Sequence, residues 1–109
     1  MKFDEKKVFT DTAWVAENDP EIYAALHDMM LEFVEDESNQ TFEDDLKSFE
    51  AGKWCVEYCF REDEGKITVS IYAGETWYDV ANQLPWLEET ITVEEFKENY
   101  QKYIERLED

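Results

Sequence analysis

Carboxylates are the residues through which this chain could do chemistry. Asp28, Glu32 and Glu35 recur at i, i+4 and i+7. That spacing sets them in one row on a helix, about 6 and about 4.5 Å apart along the axis at 1.5 Å per residue. Duplex DNA carries one phosphate per about 3.4 Å along each strand, so two such rows offer a comparable density of negative charge. Asp36, Glu37, Glu43, Asp44, Asp45 and Glu50 continue the run, with Lys47 as the single cation between residues 35 and 50. Any one acidic stripe is what the outer face of an amphipathic helix carries anyway. The total is different: 29 Asp and Glu stand against 10 Lys and Arg, a net charge of −19 in 109 residues. Solubility asks for a magnitude of about 2–8 in a small domain. Charge beyond that destabilises a compact body by self-repulsion, so it points to a use, and the use is meeting a basic surface.

Other chemistries find little support. The three glycines, Gly52, Gly65 and Gly74, each suit a turn or a helix end, and none belongs to a phosphate-binding loop. Cys55 and Cys59 share one face of a strand about 13 Å apart, too far for a disulfide, which needs Cα atoms within about 7 Å. With the single His27 they are too few for a zinc site, and they read as reduced thiols in or near the core. His27 flanks an apolar helix stripe with no nucleophile motif beside it and reads as structural. Glu62-Asp63-Glu64-Gly65 lacks the alternating ligands of a calcium loop and reads as a turn. Among so many acids no carboxylate pair singles itself out as a hydrolytic dyad. No catalytic residue, metal or cofactor is expected. A second candidate is aromatic: Tyr72 and Trp77 fall, with Cys55, on the outer side of the predicted sheet, and Trp86 follows Pro85 in a loop. Trp and Tyr are the residues that most often anchor protein interfaces. The alternative is that Phe9, Trp14 and Val15 cover that row.

These residues are positioned by helices and strands whose signals are readable. The 43% hydrophobic and 16% aromatic content separates the chain from disordered acidic segments. Asp19-Pro20-Glu21 is a helix start, followed by the stripe Ile22, Leu26, Met29, Met30 and Phe33 and an end in residues 35–39. Thr41 is read as the cap of a second helix, with Asp44 in support, Phe42, Leu46 and Phe49 inside and Gly52 as its stop. Trp54, Val56, Tyr58 and Phe60 then alternate with polar residues, as do Ile67, Val69, Ile71 and Ala73. Placing Arg61 opposite Lys66 makes Phe60 meet Ile67 and Tyr58 meet Val69 on one face. A Gly74-Glu75 turn would lead into a third strand at Thr76–Val80, preferred over a short helix capped by Thr76 because two strands alone are marginal. Residues 82–86 form a loop. Thr92 and Glu95 are a capping box for a last helix whose stripe is Val93, Phe96, Tyr100, Tyr103, Ile104 and Leu107. Val8 and Phe9 either add an edge strand or cover the sheet. The expected fold is one α+β domain spanning 1–109, a three-stranded antiparallel meander on about three helices in the order α-α-β-β-β-α.

The opening Met-Lys-Phe-Asp-Glu-Lys-Lys has no apolar region of the signal-peptide kind, and no stretch approaches the roughly 20 apolar residues that span a bilayer, so a cytoplasmic protein is expected. Its acidity opposes direct binding to nucleic acid or to anionic membranes. In size, charge and α+β compactness the chain resembles the small acidic proteins that phages and mobile elements use against host defence, of the anti-CRISPR and antirestriction type. The resemblance rests on no diagnostic motif. It implies a non-enzymatic inhibitor acting as a nucleic-acid mimic on a CRISPR effector nuclease or a restriction enzyme. The partner-binding residues are expected among Asp28, Glu32, Glu35, Asp36, Glu37, Glu43, Asp44, Asp45, Tyr72, Trp77 and Trp86. The alternatives are an immunity protein that neutralises a basic toxin nuclease and a small enzyme with a carboxylate-lined pocket.

Overall fold

The computed structural model describes residues 5–37, 40–101 and 103. The chain runs β1 (Lys6–Asp11), α1 (Thr12–Asn18), α2 (Pro20–Glu37), α3 (Gln40–Glu50), β2 (Cys55–Asp63), β3 (Lys66–Gly74), α4 (Trp77–Ala81), β4 (Leu87–Thr92) and α5 (Val93–Asn99). The four strands form one antiparallel sheet in the order β1-β2-β3-β4. The fold is thus α+β with an antiparallel meander, as expected, but with a strand added at each edge of the central hairpin. Among the described residues no helix is long and apolar enough to cross a membrane.

Alternation decides which sheet face is buried. Val8, Val56, Tyr58, Phe60, Ile67, Val69, Ile71 and Ala73 all point inward and are at most 2% exposed. Val15 of α1, Leu26 and Met30 of α2, Phe49 of α3 and Phe96 of α5 close over them in a single core. Much of that core is aromatic. Phe60 packs edge-on against Phe96 with ring centroids 5.2 Å apart, and Tyr58 likewise against Tyr103 at 5.2 Å. Such pairs add about 0.5–1.5 kcal/mol each beyond the area they bury.

The hairpin register is two residues away from the predicted one. Asp63 faces Lys66, Phe60 faces Val69 and Tyr58 faces Ile71. Glu64 and Gly65 both take positive φ, 52° and 78°, which makes a two-residue turn whose twist matches the strands. The predicted turn spanned the four residues Glu62-Asp63-Glu64-Gly65, whereas Glu62 and Asp63 belong to β2 and only Glu64 and Gly65 form the turn. A slip of two keeps every side chain on its face, so the buried set is unaffected.

The predicted third strand at Thr76–Val80 is instead helix α4. Thr76 Oγ1 accepts from the Asp79 amide at 3.2 Å and donates to Asp79 Oδ2 at 2.9 Å, a cap that fixes the first turn. The place beside β3 goes to β4, where Leu87 faces Ile71 and Ile91 faces Ile67. Its alternation is hidden from sequence because Glu89 sits at the position between them, opposite Val69. Val8 and Phe9 belong to an edge strand, and α1, capped by the Asp11 carboxylate on the Trp14 amide at 2.8 Å, had not been expected.

Two cap assignments also change. α3 begins at Gln40, so Thr41 lies inside it rather than capping it. Asp19 accepts the Tyr23 amide through its main-chain oxygen at 3.0 Å, but its carboxylate turns to the interior. There Oδ2 accepts the hydroxyls of Tyr58 at 3.2 Å and Tyr103 at 2.9 Å. The Thr92 cap of α5 is as predicted, with Oγ1 accepting from the Glu95 amide at 3.1 Å. Ile104 and Leu107 of the predicted last stripe lie outside the described residues.

The end of α3 follows a Schellman pattern: the Lys53 amide reaches the Ser48 carbonyl at 3.1 Å and the Gly52 amide the Phe49 carbonyl at 3.0 Å. Gly52 has φ +78°, and a Cβ there would lie 2.6 Å from Ala13 Cβ; Gly65 has the same φ with open space around it. Gly65→Ala should therefore cost about 1–2 kcal/mol, the left-handed penalty alone. Gly52→Ala should cost clearly more, because a close contact with α1 is added. Urea unfolding of the two variants checks the order, and equal midpoints would remove the α1 contact from the account.

Candidate partner-binding surface

The expected carboxylate rows exist and face water. Asp28, Glu32, Glu35 and Asp36 of α2 and Glu43 and Asp44 of α3 are exposed, and none has an ion pair or side-chain hydrogen bond with another described residue. Of Glu37 only the backbone is described, as the last residue of α2. Glu50 is the exception on these helices: its Oε2 lies 3.0 Å from His27 Nε2. His27 also stacks on Tyr23 at 5.8 Å and packs near Phe49, so it serves the α2–α3 contact. Among the described residues these six carboxylates thus have no internal partner for their charge.

The aromatic candidates are separated by the fold. Trp86 is not a free anchor. It packs edge-on against Trp54 at 5.9 Å and against Phe33 at 5.5 Å, and its Nε1–H donates to Gln83 Oε1 at 2.8 Å. Trp77 sits on α4, 46% exposed, against the half-exposed Phe9 of β1 at 5.4 Å. Those two rings with Val80, Ala81 and Glu57 line an apolar hollow on the outer sheet face. Tyr72 lies opposite Glu57 on the neighbouring strand and is half-buried, so Glu57 stands between the two predicted anchors. Burial pushes the Glu57 carboxyl above its ordinary range, an effect opposed by Lys7 and reinforced by Glu5. Cys55 and Cys59 are free thiols, and burial first and nearby carboxylates second push both upward, away from the reactive thiolate.

Asp45 is the predicted acid that the fold brings into company. It leaves the exposed row of α3 and faces a notch of about 300 Å³ with Glu75, Asp79, Gln83, Trp54 and Trp86. Glu75 and Asp79 escaped the sequence reading because residues 76–80 were read as a strand. The Thr76–Asp79 capping spacing was the signal that would have placed them, since a helix there turns its first acid back toward α3. Burial first, then the charges of Asp44 and Asp79, pushes the Asp45 carboxyl up from its ordinary value. The three acids are not a metal site: among the described residues no trio of His, Cys, Asp or Glu is placed to hold an ion.

Comparison with family models, with curated proteins and with solved structures finds no match to this chain.

A raised folded-state midpoint means that the folded chain binds the Asp45 proton more tightly than the unfolded chain does. Stability then falls as pH rises through the window between the ordinary Asp midpoint, about 3.9, and the raised one. Asp45→Asn should raise the melting temperature at about pH 7, and the gain should vanish below the ordinary midpoint, where both forms are neutral. Thermal unfolding followed across pH checks this, and a lower melting temperature at neutral pH would mean that the charge is favourably held.

Proposed function

We propose that this protein is a non-enzymatic inhibitor that occupies the basic nucleic-acid-binding surface of a target protein, with its carboxylates standing in for phosphates. The observation that carries this reading is the exposed set Asp28, Glu32, Glu35, Asp36, Glu43 and Asp44, which has no partner among the described residues, in a chain of net charge −19. Charges kept for folding would be paired or hydrogen-bonded; these add repulsion and nothing that offsets it. A Lys- and Arg-lined groove would supply that compensation, and the same field would speed the encounter. The class of target implied by the resemblance to anti-defence proteins is a CRISPR effector nuclease or a restriction enzyme.

The test is capture from host lysate on the immobilised protein, with and without excess duplex DNA. A nucleic-acid-handling protein that is captured alone and released by DNA is the expected result. Replacing Asp28, Glu32, Glu35 and Asp36 together by Asn or Gln should weaken that capture by about fourfold or more, at about 0.2–1 kcal/mol for each exposed pair lost. Capture should also fall steeply between low and moderate salt, because the contacts lie at the surface. A partner indifferent to DNA and to salt would overturn the reading.

A further inference from the structure

The notch between α3, α4 and the end of β3 is built more carefully than a surface acid cluster requires. Its carboxylates come from three separate places in the chain, Asp45 on α3, Glu75 before α4 and Asp79 within it. Asp79 is held by Thr76 at 2.9 Å. Gln83 is held at both ends, its amide nitrogen donating to the Ala73 carbonyl and its oxygen accepting from Trp86 at 2.8 Å. Trp86 is thereby fixed against Trp54, so two indoles and three acids line the same space.

One group in this arrangement is left over. Trp54 is only 6% exposed, lines the notch, and among the described residues has no acceptor for its buried Nε1–H. A buried donor without a partner is costly and is not left so without cause. The unsatisfied demands of the notch are thus mixed: a cation for the carboxylates, an aromatic-stacking group for the indoles and one acceptor for the indole N–H.

We propose that the notch is a receptor for an arginine residue presented by a protein partner, its guanidinium paired with Asp45, Glu75 and Asp79 and its main-chain carbonyl available to Trp54. Arginine fits better than lysine. Its planar fork serves several carboxylates that are too dispersed to share one point charge, and its weak hydration lets it stack on indole. The crowding of Asp45 by Asp44 and Asp79 is the strain that such a cation relieves. This inference rests on the reading that the target surface is basic protein, and it names the chemical group that one part of the surface takes.

The experiment is titration of the full chain, labelled with nitrogen-15, with acetyl-arginine N-methylamide, observing the Trp54 indole N–H assigned through Trp54→Phe. A saturable downfield shift of that resonance is expected, with acetyl-lysine N-methylamide binding more weakly. Asp45→Asn and Glu75→Gln should each weaken the arginine probe by about tenfold, the loss of one charge-assisted contact. Neither residue has an internal partner through its carboxylate, so the remainder of each spectrum should be unchanged. No saturable shift, an equal response to the lysine probe, or indifference to both substitutions would overturn the proposal. If the probe binds while the captured partner ignores DNA, the notch stands and the mimic reading falls. If DNA-displaceable capture persists while the probe does not bind, the notch falls and the mimic reading stands.

Discussion

The mutual repulsion of the carboxylates is the constraint around which this structure is arranged. With 10 cations for 29 acids, ion pairing cannot hold the molecule together, and the interior has to do so alone. That interior is accordingly rich in rings. Tyr58, Phe60, Phe96, Tyr100 and Tyr103 form a continuous cluster of edge-on and tilted rings between the sheet and the C-terminal segment. Aromatic side chains suit the purpose because they bury large area with few rotatable bonds. The charges are meanwhile spread over helix faces and strand ends, where water screens them.

Asp19 is the carboxylate that the core itself employs. Its two tyrosine partners pay for part of its desolvation, and the reverse effect is seen in them: burial and Asp19 push both Tyr58 and Tyr103 upward, and Tyr100 is pushed up to about 12, mainly by burial. These hydroxyls therefore stay protonated and donating throughout the range in which the protein would work. The node joins the α1–α2 corner to the central strand and to the C-terminal segment, three parts with no local reason to meet.

The parts of the fold that could be read from sequence were those with a strong period and no competing local signal. The Pro20 helix start, the alternation through Trp54–Phe60 and Ile67–Ala73, the Gly52 stop and the Thr92 cap all came through, because each is specified within a few residues. The edge strands were less legible: one at Val8 and Phe9 is only one of two readings, and β4 is not read at all. β1 alternates over too few residues, and Glu89 breaks the pattern of β4 at the one position that would have revealed it. The error at Thr76–Val80 arose from weighing the shortage of strands above a local capping pair, when β4 further on supplied the missing strand. That same error hid the company of Asp45, since a site whose members are spread over residues 45–86 depends on tertiary placement. The exposed rows of α2 and α3 needed only helical spacing, and so were visible.

The bond between Asp19 and Tyr103 spans 84 residues of a 109-residue chain. It cannot form on the ribosome until Tyr103 has emerged, and neither can the aromatic contacts that Tyr100 and Tyr103 make with the central strand. Until then the nascent chain carries most of its negative charge without the closure that holds it compact. Synthesis and folding are consequently separated in time for this molecule. α2 and α3 emerge well before Tyr103, carrying exposed like charges that repel one another. The closure of the core over the central strand waits for Tyr100 and Tyr103 to arrive.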